Sequence, residues 1–224
     1  SSGRVIIDGG SNLDEPIIFE ATSTDPADAW GGVYFYSQRP DNVINNCIFS
    51  NATVAFRGLD DCNVSISNST LNICGIAATT NNGGHLNLSN CTITNSRYYG
   101  AVAAGRSSIT MTNGSITGSP RAGIWAAGLA RVFANRTSFS TNGPPLLDDR
   151  NLQFGGVRNT HGSLRLTCIT SSNNYGPGLT ALGGVNDMAP NAKNVFQNNL
   201  EVYGGTRAQI YVCSTIPDLC NGRN

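Results

Sequence analysis

The chain has 224 residues, with 14 basic and 14 acidic side chains, zero formal net charge and only 12% charged residues. A neutral chain with a single lysine, Lys193, carries no electrostatic footprint for nucleic acid or an anionic membrane surface. No apolar run approaches the roughly 18 residues of a membrane helix, so no insertion into a bilayer is expected. Abundant Gly, Asn, Ser and Thr are the composition of a turn-rich all-β protein. Seven cysteines, without a CxxC or Cys/His metal spacing, point to an oxidising compartment. An odd count leaves at least one thiol unpaired within the chain. No initiator Met or signal-like stretch opens the sequence at Ser1, which reads as a mature form or a segment of something longer.

Residues 1–41 read as opening coils. RVIIDGG and PIIFEA are short β-rich runs bounded by Gly, Asn, Asp and Pro, and TDPADAWGG is a loop feeding a third strand with Val33 and Phe35 on one side. The regular part spans 42–142. There Asn46, Asn68, Asn90, Asn113 and Asn135 recur at steps of 22, 22, 23 and 22 residues. Counted from the Asn, apolar residues fall at −4, −2 and +3: Val64, Ile66 and Leu71, then Leu86, Leu88 and Ile93, then Ile109, Met111 and Ile116. Alternation before the Asn predicts a strand with one buried face, and its break just after predicts a tight corner. A third strand opens with glycine in each unit: GIAAT (75–79), GAVAAG (100–105), GIWAAG (123–128) and later GLTALGG (178–184). The glycine is expected there for positive φ or a close backbone approach.

A unit of about 22 residues cannot bury its own apolar face and must stack on copies of itself. Three short strands per unit, each parallel to its counterpart one coil away, make a parallel β-helix with coils about 4.8 Å apart. The whole of 1–224 therefore reads as one domain. An inserted loop at 143–162 adds about ten residues before LRLTCITSS, and 163–224 hold the final coils, with NVFQNN (194–199) as the last echo. The tail CSTIPDLC suggests a Cys213–Cys220 disulfide closing the last coil. Cys47 and Cys91 sit at one repeat position two coils apart, about 9.6 Å, too far for a bridge. Cys168 is expected inside the stack as a small apolar residue.

The motif apolar-x-apolar-x-Asn-x-x-apolar with a Gly-led strand resembles the right-handed parallel β-helix family of pectate-lyase-like proteins, over roughly residues 30–185. The opening DEPIIFEATSTDPADAWGGVYF is similar to the first coils of secreted β-helix proteins. The resemblance implies a single-stranded solenoid of about 22–24 residues per coil with an internal Asn ladder, each amide bonding backbone groups and its neighbours above and below. It also implies that any activity lies along the Gly-led strand and its preceding loops.

Seven N-x-S/T sequons occur. If Asn68, Asn90, Asn113 and Asn135 are internal, the better glycan acceptors are Asn51, Asn63 and Asn87, with Asn51 in a turn and the other two turned outward. A catalytic constellation is scarce. Asp60 and Asp61 are adjacent and would point apart on a strand, with nothing nearby to complete a calcium shell. Enzymes of the polygalacturonase type use separated carboxylates. Here only Asp148, Asp149 and His161 match fragments of their motifs, so these three are the candidate catalytic residues. His85 is expected in a loop. No metal or cofactor is expected.

A binding face has more support. NSRYYGAVAAG and GSPRAGIWAAG place Arg97, Tyr98, Tyr99, Arg121 and Trp125 in equivalent positions one coil apart, and Tyr175 follows from a later loop. Rings and arginines suit sugar faces and sugar carboxylates. Three functions remain open. One is an extracellular structural or adhesive module, glycosylated and self-stacking head to tail through its open ends into a filament. A second is a polysaccharide-active lyase, epimerase or glycosidase. A third is a carbohydrate-binding module without chemistry.

Overall fold

The computed structural model describes residues 4–144, 154–188, 193–199 and 210–213. The chain winds through strands that recur in threes. The first coil holds β1 (Ile6–Asp8), β2 (Ile17–Glu20) and β3 (Val33–Phe35), with a 3-10 turn at Pro26–Asp28 capped by the Asp25 carboxylate. The second holds β4 (Val43–Asn45), β5 (Cys47–Ser50) and β6 (Val54–Gly58); the third, β7 (Asn63–Ser67), β8 (Thr70–Asn72) and β9 (Ile76–Thr80). Then come β10 (His85–Ser89), β11 (Thr92–Thr94) and β12 (Tyr99–Ala104), followed by β13 (Ser108–Thr112), β14 (Ser115–Thr117) and β15 (Ala122–Ala127). The sixth coil is β16 (Arg131–Asn135), β17 (Ser138–Ser140) and β18 (Val157–Thr160), and the seventh β19 (Ser163–Thr167), β20 (Thr170–Ser172) and β21 (Leu179–Leu182). β22 (Val185–Met188), β23 (Val195–Gln197) and β24 (Ile210–Cys213) close the series.

First, second and third strands each line up into an eight-stranded parallel sheet, so the fold is an all-β parallel solenoid. Registered partners lie 22 residues apart at Asn63 and His85, 23 apart at His85 and Ser108, and 32 apart at Arg131 and Ser163. The ten-residue excess falls between β17 and β18, so Val157–Thr160 is a strand of the third sheet rather than part of a loop.

The predicted apolar triples all point inward. Val64, Ile66, Leu71, Leu86, Ile93, Ile109, Met111 and Ile116 are fully buried, each contributing about 1.5–3 kcal/mol by leaving water. On the third sheet the inner wall is narrow because Ala77, Ala78, Ala101, Ala103 and Ala126 face the core. The leading glycines serve close approach. A β-carbon on Gly123 would stand 2.6 Å from the Gly156 carbonyl oxygen and 3.0 Å from Asn142 Nδ2, and one on Gly100 would collide with the Gly123 carbonyl oxygen and Ile116.

The asparagine ladder differs from the expected one. Asn46, Asn68, Asn90 and Asn113 hold left-handed φ of 49° to 53° at the corner between first and second sheets. Asn tolerates this conformation better than other residues with a β-carbon. There the chain reverses its alternation: the Asn side chain turns to the outer edge and the next residue, Cys47, Ser69 or Cys91, turns inward and is buried. Asn46 remains covered, donating to the carbonyls of Gly9 (3.2 Å) and Asn12 (2.7 Å), but Asn90 and Asn113 are exposed. Coil-to-coil bonding persists in part, since Asn90 Nδ2 donates to Asn68 Oδ1 at 3.1 Å. The fifth ladder place belongs to Arg136 (φ 49°), because Asn135 pairs with Thr112 inside the strand. Cys168 takes the sixth place, left-handed and exposed rather than internal.

A buried asparagine ladder does exist, at the corner between second and third sheets. Asn142, Asn174 and Asn199 are fully buried. Asn142 Nδ2 donates to Asn174 Oδ1 (3.1 Å) and to the Ile116 carbonyl (3.0 Å), and Asn174 Nδ2 donates to Asn199 Oδ1 (2.7 Å) and to the Phe139 carbonyl (3.2 Å). Each Oδ1 also accepts a backbone N–H from the coil before it: Ser119 to Asn142, Asn142 to Asn174, Asn174 to Asn199. The amides of this ladder are thus satisfied, as buried polar groups require.

Candidate functional site

The outer face of the third sheet gathers the aromatic and arginine residues. Strand register sets one outward row, Tyr34, Arg57, Thr79, Val102, Trp125, Arg158 and Thr180, running across the strands along the solenoid axis. A second outward row, Ile76, Tyr99 and Ala122, lies beside it. Ile124 and Ala126 point inward on either side of Trp125, which fixes the indole outward.

The side chains of this face interleave. Tyr99 stacks on Trp125 with ring centroids 5.1 Å apart and planes 27° from parallel, and Phe154 meets Tyr99 edge-on at 6.4 Å. The Arg158 guanidinium lies 5.0 Å from the Trp125 ring and 4.7 Å from Phe154, while Arg121 lies 5.3 Å and 5.4 Å from Tyr98 and Tyr99. The indole N–H donates to Thr160 Oγ1 at 3.1 Å, and Arg121 Nη1 donates to the Tyr99 hydroxyl at 3.4 Å. Cation–ring contacts of this kind contribute about 0.5–2 kcal/mol each and hold the guanidinium planes in place. Burial lowers the pKa of Arg158 from its ordinary value, and the charge survives because that value is so high. The strands of the third sheet hold Arg57 and Arg158, with Arg121 one residue before β15, and contain no Asp or Glu. These strands therefore offer guanidinium groups with no carboxylate among them.

Of the six expected binding residues, Tyr98, Tyr99, Arg121 and Trp125 come together. Arg97 does not join them: its guanidinium reaches two coils back and clamps Asn51 Oδ1 (2.7 Å) and the Ala52 carbonyl (3.1 Å) at the second corner. Tyr175 is half-buried at that corner, its backbone N–H donating to the Asn142 carbonyl at 2.7 Å, with no ring contact to the ladder among the described residues. Phe154, Arg158 and Thr160 were not foreseen. They follow the insertion, and only after its ten extra residues are subtracted does Arg158 fall one coil beyond Trp125.

The catalytic candidates are not assembled. Asp148 and Asp149 lie outside the described residues. His161 is exposed in a left-handed turn (φ 63°) after β18, and His85 Nδ1 is 2.7 Å from Ser108 Oγ on the first sheet. Asp60 and Asp61 are not on a strand but in consecutive left-handed conformations (φ 48° and 56°) at a turn, where Asn82 Nδ2 donates to Asp60 Oδ1 at 3.3 Å. Among the described residues no group of three or more His, Cys, Asp or Glu is placed to hold a metal ion.

The sequon order also changes. Asn51 is 1% exposed, accepts from Arg97 and donates to the Ser23 and Asp25 carbonyls, so its amide is closed to a glycan. Asn87, Asn90 and Asn113 are exposed; Asn63, Asn68 and Asn135 are half-buried. Cys47, Cys62, Cys74 and Cys91 are buried free thiols and Cys168 an exposed one, while the Cys213–Cys220 pairing lies outside the described residues. Burial pushes the Cys91 thiol up to about 11. No helix among the described residues is long and apolar enough to cross a membrane.

Compared with protein families, curated proteins and solved structures, the chain matches none of them.

Proposed function

We propose that this solenoid is an extracellular adhesive module that retains an acidic glycan on the outer face of its third sheet, in the manner of the pectate-lyase-like β-helices it resembles. The observation that carries the reading is the interleaved ladder Tyr98, Arg121, Tyr99, Trp125, Arg158 and Phe154. Trp125 is contacted by the Tyr99 ring and the Arg158 guanidinium. Recognition is accordingly by guanidinium edges, which take carboxylates in bidentate pairs, and by the half-exposed Tyr98 ring (51%). Retention of an anion, rather than proton transfer to it, is what such groups favour. Glycosylation at the exposed asparagines and end-to-end stacking of copies are compatible additions to this reading.

The test is retention on immobilised polygalacturonate, alginate and neutral glucan, with reducing ends and unsaturated ends followed in parallel. Retention on the uronates alone, lost in Arg121→Gln at an unchanged unfolding midpoint, supports the proposal. Equal retention on the neutral glucan would overturn it, and release of new ends would replace it with the enzymatic reading.

A further inference from the structure

The second sheet presents a different outer face from the third. Its inward residues Leu71, Ile93, Ile116, Phe139 and Ser171 are fully buried, so the residue on either side of each points outward. Register aligns these outward residues in two rows along the solenoid axis. One row is Thr70, Thr92, Ser115, Ser138 and Thr170. The other is Asn72, Thr94, Thr117, Ser140 and Ser172. Nine of these ten positions carry a hydroxyl and none carries a charge, and all are half-buried or exposed. Neighbours stand about 4.8 Å apart within a row, and the two rows are about 6.6 Å apart. The first sheet has no such grid, because His85, Arg131 and Arg165 interrupt its outward rows.

We propose that this hydroxyl grid is an ice-binding face, with the ordered water lattice as its ligand. The third sheet plays no part in it. Hexagonal ice repeats its oxygens at close to the within-row distance along one axis and close to the between-row distance along another. A hydroxyl both donates and accepts, as a lattice water does, so each can replace one water or anchor it. Charge selects the same occupant. The lattice is neutral, and an ammonium, guanidinium or carboxylate on the grid would keep its own hydration shell instead. Arg136 stays at the first corner, beside the rows. The grid is also ordered before it binds. The side chains beneath it are fully buried, and threonine is stiff at χ1. Neighbouring coils are tied as well: Thr94 Oγ1 donates to Asn72 Oδ1 at 2.9 Å, and the Thr117 and Ser140 hydroxyls are 3.0 Å apart. None of the ten positions offers a ring for a sugar to stack on or a large apolar anchor for a protein partner.

A single ice crystal held in a dilute solution of the folded chain tests this. The readouts are the gap between the melting temperature and the temperature of crystal growth, and the rate of recrystallisation. The unaltered chain is expected to open that gap and to slow recrystallisation. Thr92→Lys, at an exposed position, should abolish both effects at an unchanged unfolding midpoint, and Ser115→Lys should do so if Thr92→Lys folds poorly. Thr110→Lys, on the outer face of the first sheet in the same coil as Ser115, should retain both. No effect of the unaltered chain on ice would overturn the proposal. So would effects that survive in both second-sheet variants, or that vanish in a folded Thr110→Lys. Retention on crystalline cellulose without any effect on ice would overturn ice as the occupant and put a neutral glycan in its place.

Discussion

Asparagine does two different jobs at the corners that flank the second sheet, and the second corner holds both, since Asn51, Asn95, Asn173 and Asn198 are left-handed there. At the first, Asn46, Asn68, Asn90 and Asn113 supply left-handed backbone and put their amides on the outer edge. At the second, Asn142, Asn174 and Asn199 point inward, fully buried, with donors and acceptors bonded from coil to coil. One row is a backbone device and the other a polar core. Recurrence of a residue type therefore marks a structural need without saying which atom of the residue meets it.

Truncating the inner row should cost most. Asn174→Ala strips partners from Asn142 and Asn199 and leaves buried N–H and C=O groups unpaired, so denaturant unfolding should show a loss of about 3 kcal/mol. A loss below about 1 kcal/mol would mean that the ladder is ornamental. The first corner's inner row offers a pH test through Cys91. Its thiol is raised by burial to about 11, from 9.0, so the folded chain holds that proton where the unfolded chain releases it. The stabilisation is complete below pH 9 and fades as pH climbs from 9 towards 11. Unfolding free energy at pH 10 should accordingly drop about 1 kcal/mol further in the unaltered chain than in Cys91→Ala. The outer row should be the most forgiving. Asn90→Ala is expected to lose about 1 kcal/mol through left-handed strain and one hydrogen bond, and Asn90→Gly only a few tenths. Equal effects of the two substitutions would contradict the backbone role.

The solenoid was readable because its physics is periodic. Apolar residues at −4, −2 and +3 from each Asn specify inward strands and a corner, and every one of those triples is buried. Continued alternation from Val64 and Ile66 would have sent Asn68 inward as well. The left-handed residue cancels that parity and makes Ser69 the inner one, a reversal already implicit in the odd step from −2 to +3. Asn135 kept the 22-residue rhythm while lying one place short of the corner, so counting alone misassigned it. On the third sheet, Trp125 was legible as outward because Ile124 precedes it. Arg97 was misplaced because a long side chain can leave its own coil, and its clamp on Asn51 has no signature in spacing. Arg158 and Phe154 were hidden by the insertion that shifts the repeat.

The arginine and aromatic face of the third sheet is the central claim, and a paired titration bears on it most directly. Polygalacturonate is titrated into the unaltered chain, into Arg121→Gln, and into Thr94→Ala/Thr117→Ala, which alters outward hydroxyls of the second sheet at the same level of the stack. Affinity should fall at least about tenfold in Arg121→Gln, the loss of a charge-assisted contact, and stay unchanged in the second-sheet variant. Equal affinity in all three would contradict a site on the third sheet.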